Sequence, residues 1–296
     1  MAKASSGPSA VDAAWLSDHP LPVHGEGTDK NNRGSVLIVG GSRKVAGGLR
    51  LTAEAAFRAG AGKVQLATVE SAALNLGMAV PEAGVIALSE TDEGEIGGPI
   101  ENRLNEALVK SDCMVLGPAM TDKESAGALI DAVLGAEKVP DRFILDATAI
   151  FAARDRQKAL TKYSGALIIT ANEDELAALL DRDVDAEPER AVREVAKRFS
   201  AIAMLKRSDT LIASPAGELL RYPGGGVGLA TGGSGDVLAG ILAALLARGA
   251  DPLGAAAWSV WLHGEAGRRL SETLGPIGLL ARELPALIPG LMRGAS

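Results

Sequence analysis

The sequence predicts an α/β fold with helices on both sides of a central, mostly parallel sheet. Three observations carry this. Short β-type apolar runs alternate with longer stretches of helical periodicity, the pattern of βαβ units. Apolar residues make up 47% of 296 residues, enough for one sizeable buried core. A late turn rich in Pro and Gly separates two further β-type runs, which adds an antiparallel hairpin and makes the sheet mixed. No repeat, long Gly/Ser linker or abrupt shift of composition marks a boundary. A single catalytic domain over residues 25–296 behind an N-terminal extension of residues 1–24 is therefore expected.

The elements follow in order. Ser35 to Val39 reads as the first strand, and Val64 to Thr68, Val85 to Leu88, Met114 to Leu116, Phe143 to Leu145, Leu167 to Thr170 and Ala203 to Lys206 continue the series. Their unbroken apolar character suits strands buried on both faces. Thr210 to Ala213 and Leu219 to Tyr222 flank Ser214-Pro215-Ala216-Gly217-Glu218, the hairpin turn. Helical patterns cover Leu49 to Ala59, Ile100 to Val109, Lys123 to Leu134, Glu173 to Leu180, Pro188 to Phe199, Val237 to Ala247 and Leu253 to Leu270.

Charge and composition exclude several function classes. A net charge of −7 argues against nucleic-acid binding, which needs a basic face to replace phosphate counterions, and aromatic residues at 3% are too few for stacking platforms, so no nucleic-acid partner is expected. Cys113 is the sole cysteine and lies in the apolar run Cys113-Met114-Val115-Leu116, where a packed strand thiol is the simpler reading. With three histidines, His19, His24 and His263, a zinc site is not expected, and His263 in Trp261-Leu262-His263-Gly264-Glu265 reads as a packed or hydrogen-bonded core group. No Gly-x-Ser-x-Gly elbow is present. The start lacks the charged and apolar regions of a signal peptide, and no run of 18 uncharged apolar residues suggests a membrane span. A cytoplasmic location without membrane contact is expected.

The strongest local signal is Leu229-Ala230-Thr231-Gly232-Gly233-Ser234-Gly235-Asp236-Val237-Leu238-Ala239-Gly240, a glycine-rich loop entering an apolar helix. Glycines let a phosphate approach the backbone, and the free N–H groups at a helix start attract an anion. Asp236 would repel that phosphate unless it has a chemical task, such as taking the proton of a hydroxyl that attacks phosphorus; the plainer alternative is a helix cap. A second glycine-rich turn, Gly40 to Gly48, follows the first strand and places backbone donors at the carboxyl edge of the sheet, though it fits neither the Walker nor the Rossmann pattern and serves equally as a tight turn. Thr170-Ala171-Asn172-Glu173-Asp174-Glu175 sits where a strand passes into a helix. Its acids suit the helix dipole, and alternatively Asn172 and Glu175 meet a ligand or a Mg²⁺–water shell. Lys206 at a strand end, with Thr210 four residues on, is either a surface lysine or a contact for nucleotide phosphates.

Together these pieces resemble the ADP- or ATP-dependent NAD(P)H-hydrate dehydratase family of the ribokinase-like superfamily. The likeness runs from about residue 25 to 290. It rests on the strand-one Gly-Gly-Ser loop, Ala56-Phe57-Arg58-Ala59-Gly60-Ala61-Gly62, Gly117-Pro118, the Asn172 helix start, Lys206 to Thr210, the Gly232 to Asp236 loop and Trp261 to Gly267. The resemblance implies a ribokinase-like three-layer α/β/α fold and repair of hydrated NADH or NADPH, (S)-NAD(P)HX. The ring hydroxyl is phosphorylated by ADP, giving AMP, or by ATP, and phosphate is then eliminated.

By resemblance Asp236 is the base on that hydroxyl, and Gly233, Ser234 and Gly235 form the anion hole. Gly48, Gly117, Asn172 and Asp236 bind the hydrated nicotinamide nucleotide. Lys206, Arg207, Ser208, Asp209, Thr210 and Gly235 bind ADP or AMP, and Glu175 belongs to a Mg²⁺–water shell with no direct protein ligand to the metal. The family often fuses an epimerase domain at the N-terminus, for which 296 residues leave no room, so a dehydratase alone, a separate epimerase partner and a homo-oligomer, tetrameric by analogy, are expected. Three departures from the family stand out: Asn172-Glu173-Asp174-Glu175 replaces His-Pro-Gly-Glu, Gly117-Pro118-Ala119 replaces Gly-Pro-Gly, and Lys206-Arg207 replaces Lys-Gly. Asn-x-x-Glu is the form seen in sugar and vitamin kinases of the superfamily, which makes an ATP-dependent kinase of a small alcohol the alternative activity. A non-catalytic nucleotide sensor is a third reading.

Overall fold

Alternating side chains of the central strands feed two apolar cores, one on each side of a sheet. Val36 and Ile38 of the first predicted strand join one core, and Leu37 and Val39 join the other, as a period of two requires. The computed structural model describes residues 7–99, 102–163 and 165–293. Its strands are β1 (Ser9–Ala10), β2 (Ser35–Val39), β3 (Lys63–Val69), β4 (Gly84–Leu88), β5 (Cys113–Leu116), β6 (Arg142–Leu145), β7 (Ala166–Ala171), β8 (Ile202–Lys206), β9 (Thr210–Ala213) and β10 (Leu219–Tyr222). They form one sheet in the order β1-β10-β9-β8-β7-β6-β5-β2-β3-β4. Pairings from β4 through to β8 are parallel, and β8-β9 and β9-β10 are antiparallel. The late hairpin is thus present, and β9 also turns back on β8, with Lys206 opposite Thr210.

The helices are α1 (Ala13–Asp18), α2 (Gly48–Arg58), α3 (Glu70–Ala79), α4 (Asn102–Lys110), α5 (Lys123–Leu134), α6 (Thr148–Ala153), α7 (Gln157–Leu160), α8 (Glu173–Leu180), α9 (Pro188–Phe199), α10 (Ser234–Ala247), α11 (Pro252–Leu274) and α12 (Ile288–Met292). Residues of α2, α10 and α11 build one core against the sheet, and those of α4, α5, α6, α8 and α9 build the other. The three-layer arrangement expected from the alternation is therefore the one observed. Cys113 is buried, and burial pushes its thiol well above the usual range, in keeping with a packed strand residue.

Differences from the predicted elements have local causes. Ile100 and Glu101, the expected first residues of a helix, lie outside the described residues, and α4 is described from Asn102. α3 escapes the periodicity because Leu74 and Met78, one turn apart, are both 78% exposed and blur its apolar face. α10 starts at Ser234, three residues before the apolar run, because Gly233 takes a left-handed conformation at φ 87° and serves as the N-cap. No helix among the described residues is long and apolar enough to cross a membrane.

Candidate active site

The carboxyl ends of β2, β5, β6, β7 and β8 meet at one edge of the sheet, where open α/β folds bind ligands. Backbone hydrogen bonds tie these ends together: Gly41 N–H donates to the Pro118 carbonyl (2.8 Å), Gly117 N–H to Val39 (3.1 Å) and Asp146 N–H to Leu116 (3.1 Å). Gly117 has φ 114° and stands so close to the Asp146 carbonyl that a β-carbon there would overlap it. Gly48, the first residue of α2, faces the Ala119 side chain across the same edge. A side chain at Gly233 would collide with Leu51 of α2, so the Gly232 to Asp236 loop abuts the start of that helix.

Asp146 is the residue the sequence reading missed. It follows β6 directly and is only 2% exposed. Its Oδ1 accepts from Thr170 Oγ1 at 2.6 Å and from Lys206 Nζ at 3.2 Å. A carboxylate closing the run Phe143-Ile144-Leu145, where neighbouring strands also end in polar or glycine residues, was the available signal. The residue after it, Ala147, has φ 50° and ψ −128°, a conformation that L-residues rarely adopt. Ala119, where the family carries glycine, is likewise left-handed at φ 58°. The other two non-glycine residues with positive φ among the described residues, Asp181 and Ser200, are ordinary helix C-caps.

Lys206 links the cluster. Burial pulls its ammonium down, but Asp146 and Glu175 beside it outweigh this and hold it above its ordinary value. A side chain built on Gly235 would stand 3.6 Å from Lys206 Nζ, so the lysine lies directly over the start of α10. Asp236 is half-buried there. Burial, and then the Asp146 carboxylate, raise it to about 7 against the pull of Lys206. The cap alternative for Asp236 does not hold, since the N-cap is Gly233 and no side chain caps the helix.

Among the anion-hole candidates, Ser234 N–H is engaged with the Thr231 carbonyl at 3.2 Å. The N–H groups of Gly233, Gly235 and Asp236 have no backbone partner among the described residues. The Ser234 hydroxyl lies 3.0 Å from His263 Nε2, and burial lowers that imidazole to about 4, so His263 is neutral. It is a hydrogen-bonded interior group, as its sequence context suggested.

Asn172 and Glu175 form a reciprocal capping box: Glu175 N–H donates to Asn172 Oδ1 and Asn172 N–H to Glu175 Oε2, each at 2.8 Å. Glu175 is 6% exposed, and burial raises it to about 7. On the nucleotide-loop candidates, Arg207 pairs with Glu173 (2.7 Å) and Asp209 with Arg221 (2.5 Å). Ser208 is exposed at the tip, and Thr210 is buried within the sheet. Two of the departures, Glu173 and Arg207, thus compensate each other as an ion pair. The site gathers Gly117, Asp146, Glu175, Lys206, Gly235 and Asp236; Gly48 lies beside Ala119, two residues on from Gly117, while Arg207 and Asp209 face other partners.

Comparison with known proteins gives the same family by an independent route. Residues 36–289 match the family described as NAD(P)H-hydrate dehydratase. The chain is 40% identical over 286 residues, 95% of each protein, to the ADP-dependent (S)-NAD(P)H-hydrate dehydratase of Xanthomonas campestris pv. campestris. It spans about half the length, 53%, of a bifunctional NAD(P)H-hydrate repair enzyme that it also matches. Two crystal structures share the fold. One is a ribokinase-like superfamily protein of Enterococcus faecalis, with TM-score 0.85, 23% identity and coverage of 100% of this chain and 99% of the other. The second is the ADP/ATP-dependent NAD(P)H-hydrate dehydratase of Bacillus subtilis co-crystallized with ATP/Mg²⁺, with TM-score 0.81, 23% identity and coverage of 98% and 99%.

Proposed function

Because the chain belongs to the NAD(P)H-hydrate dehydratase family, we propose that it restores (S)-NAD(P)HX to NAD(P)H at the expense of ADP, with Asp236 as the base. The observation that carries the assignment is Asp236 itself. It is a carboxylate in the first turn of α10 that caps nothing, stands next to unpaired backbone N–H groups and is poised near neutrality.

Asp236 takes the proton of the ring hydroxyl as its oxygen attacks the β-phosphorus of ADP, and AMP leaves. The N–H groups of Gly233, Gly235 and Asp236 stabilise the charge on the transferring phosphoryl group. Loss of phosphate, with a proton from the neighbouring ring carbon, regenerates the dihydropyridine. Lys206, held by Asp146, meets the nucleotide phosphates, with the loop from Arg207 to Thr210 alongside. Gly48, Gly117 and Asn172 bound the nicotinamide side.

Mg²⁺ fits as an ion carried by the nucleotide rather than by a protein cage. Among the described residues no group of three or more His, Cys, Asp or Glu side chains is placed to hold a metal. Glu175 is the candidate for its water shell. When bound, the ion neutralises phosphate charge. The protein acts in the cytoplasm as a homo-oligomer, with residues 25–296 as one catalytic domain into whose core the preceding segment packs, and with a separate epimerase supplying the S form of the substrate.

The kinase alternative rested on the Asn172-x-x-Glu175 form, and the 40% identity over 95% of the chain to a dehydratase favours the dehydratase reading over it. The test is to mix the protein with hydrated NADPH and ADP or ATP and follow the dihydronicotinamide absorbance. Recovery of the band with release of one phosphate per turnover is expected. No gain with either nucleotide would sink the proposal, and a stable phosphorylated product would favour the kinase.

A further inference from the structure

The opposite edge of the sheet, at the amino ends of β2 and β3, holds a second concentration of charge. A cavity of about 400 Å³ opens there. Leu21 and Met292 give it apolar walls, and its charged or titratable lining is Arg33, Arg248, Arg293 and His24, with no carboxylate. In a chain of net charge −7 this is a local excess of cations. None of the three arginines has an ion-pair partner among the described residues.

Arg248 and His24 are held there by the fold, and Arg33 and Arg293 reach the cavity from the exposed surface. Arg248 is the C-cap residue of α10 and lies against Gly60. It donates to the Ala59 carbonyl at 2.9 Å and to the Pro22 carbonyl at 3.1 Å, while its Nε is buried without a partner. His24 Nε2 is also buried without a partner. Burial, then Arg248 and Arg33, lower the His24 imidazole, and burial, then Arg33, lower Arg248. Unpaired buried donors and like charges brought together each cost free energy. An anion entering the cavity relieves both terms at once, whereas a water relieves only the first.

We propose that this cavity binds the phosphate group of a small phosphorylated molecule, at a site separate from the candidate active site. Three guanidinium groups around one cavity suit the several oxygens of a phosphate, and the apolar walls and volume leave room for a small body attached to it.

The three histidines report the sites separately in an NMR titration: His24 lines the cavity, His263 contacts the Gly232 to Asp236 loop through Ser234, and His19 is stacked on Trp15. Inorganic phosphate and ribose 5-phosphate are added in parallel series at constant ionic strength. Saturable movement of the His24 signals is expected with at least one of them, with the His24 titration midpoint rising by about one pH unit as the anion offsets the arginines. Response to ribose 5-phosphate alone or more tightly identifies a carried phosphate, and an equal response identifies the phosphate group as the whole determinant.

The Arg33 side chain is exposed and makes no described hydrogen bond, and the Gly62 N–H bond to its backbone carbonyl (3.2 Å) survives truncation, so Arg33→Ala leaves the fold intact and is expected to weaken binding about tenfold or more. Movement of His263 without His24, a response matched by sodium chloride, or an undiminished response in both Arg33→Ala and Arg293→Ala would overturn the proposal.

Discussion

At the scale of single residues, the site is organised by where a negative charge is tolerated. Asp236 rises to about 7, from an ordinary value of 3.8. The folded protein therefore keeps a proton on Asp236 that the unfolded chain has already released between about pH 4 and 7. An acid shifted upward in this way subtracts stability as the pH climbs through that window, because the unfolded state then binds fewer protons. Asp236→Asn removes the charge and keeps the shape. It is expected to lower turnover by ~10²–10⁴-fold, as general-base loss does, yet to raise stability at pH 8 by about 1 kcal/mol, which is ~2–4 °C in Tm for a chain of this size. At pH 4 the two proteins should melt together. Wild-type kcat/KM should rise as the pH passes through 7. A variant that melts lower at pH 8 would mean that ionised Asp236 stabilises the fold, which is a structural role. Glu175, also raised to about 7, contributes a slope of the same sign that persists in the variant.

At the scale of elements, strain collects at the loops that end strands. Ala147 connects β6 to α6 at φ 50° and ψ −128°, between Asp146, whose carbonyl accepts from Ala149 N–H at 3.3 Å, and the first residue of α6. Such backbone costs ~1–3 kcal/mol and persists when surrounding contacts over-determine it. Ala147→Gly is expected to stabilise the protein by about 1 kcal/mol after the larger entropy of glycine in the unfolded chain is deducted. Urea denaturation measures it, and a destabilised variant would show that the β-carbon of Ala147 is worth more in packing than it costs in strain. This strain was not visible in the sequence, and Asp146 showed there only as a carboxylate closing an apolar run, because the contacts of both arise where chain ends from β5, β6 and β7 converge. The strands themselves were legible, since burial on both faces leaves unbroken apolar runs such as Val36 to Val39. The Gly232 to Asp236 loop was legible too, because its composition departs from what a cap needs. What Asn172 does was not: a capping box and a ligand contact call for the same residue types at the same spacing, and only the reciprocal hydrogen bonds separate them.

At the scale of the whole molecule, α10 spans the protein from one candidate site to the other. Its first turn carries Asp236 and its C-cap is Arg248, ~18 Å apart at 1.5 Å per residue over the roughly 12 residues between them. The basic end of this helix is closed over by the chain before Gly25. Val11, Leu16 and Leu21 are buried in the core shared with α10, β1 pairs with β10, and Trp258 Nε1 donates to the His19 carbonyl at 2.7 Å. Removing the chain up to Leu21 would expose apolar surface worth at most ~1.5–3 kcal/mol per aliphatic side chain, less the entropy regained by the freed segment. It would also leave the Trp258 indole N–H without its carbonyl and β10 as an open edge. A fall in Tm of at least ~5 °C and a rise in light scattering on heating are expected. The folded fraction should keep its specific activity, because the Asp146, Lys206 and Asp236 cluster lies at the far edge of the sheet. An unchanged Tm would mean that the segment rests on the domain without supporting it. A loss of activity at full stability would instead mean that what happens at the Arg248 end of α10 is felt at Asp236.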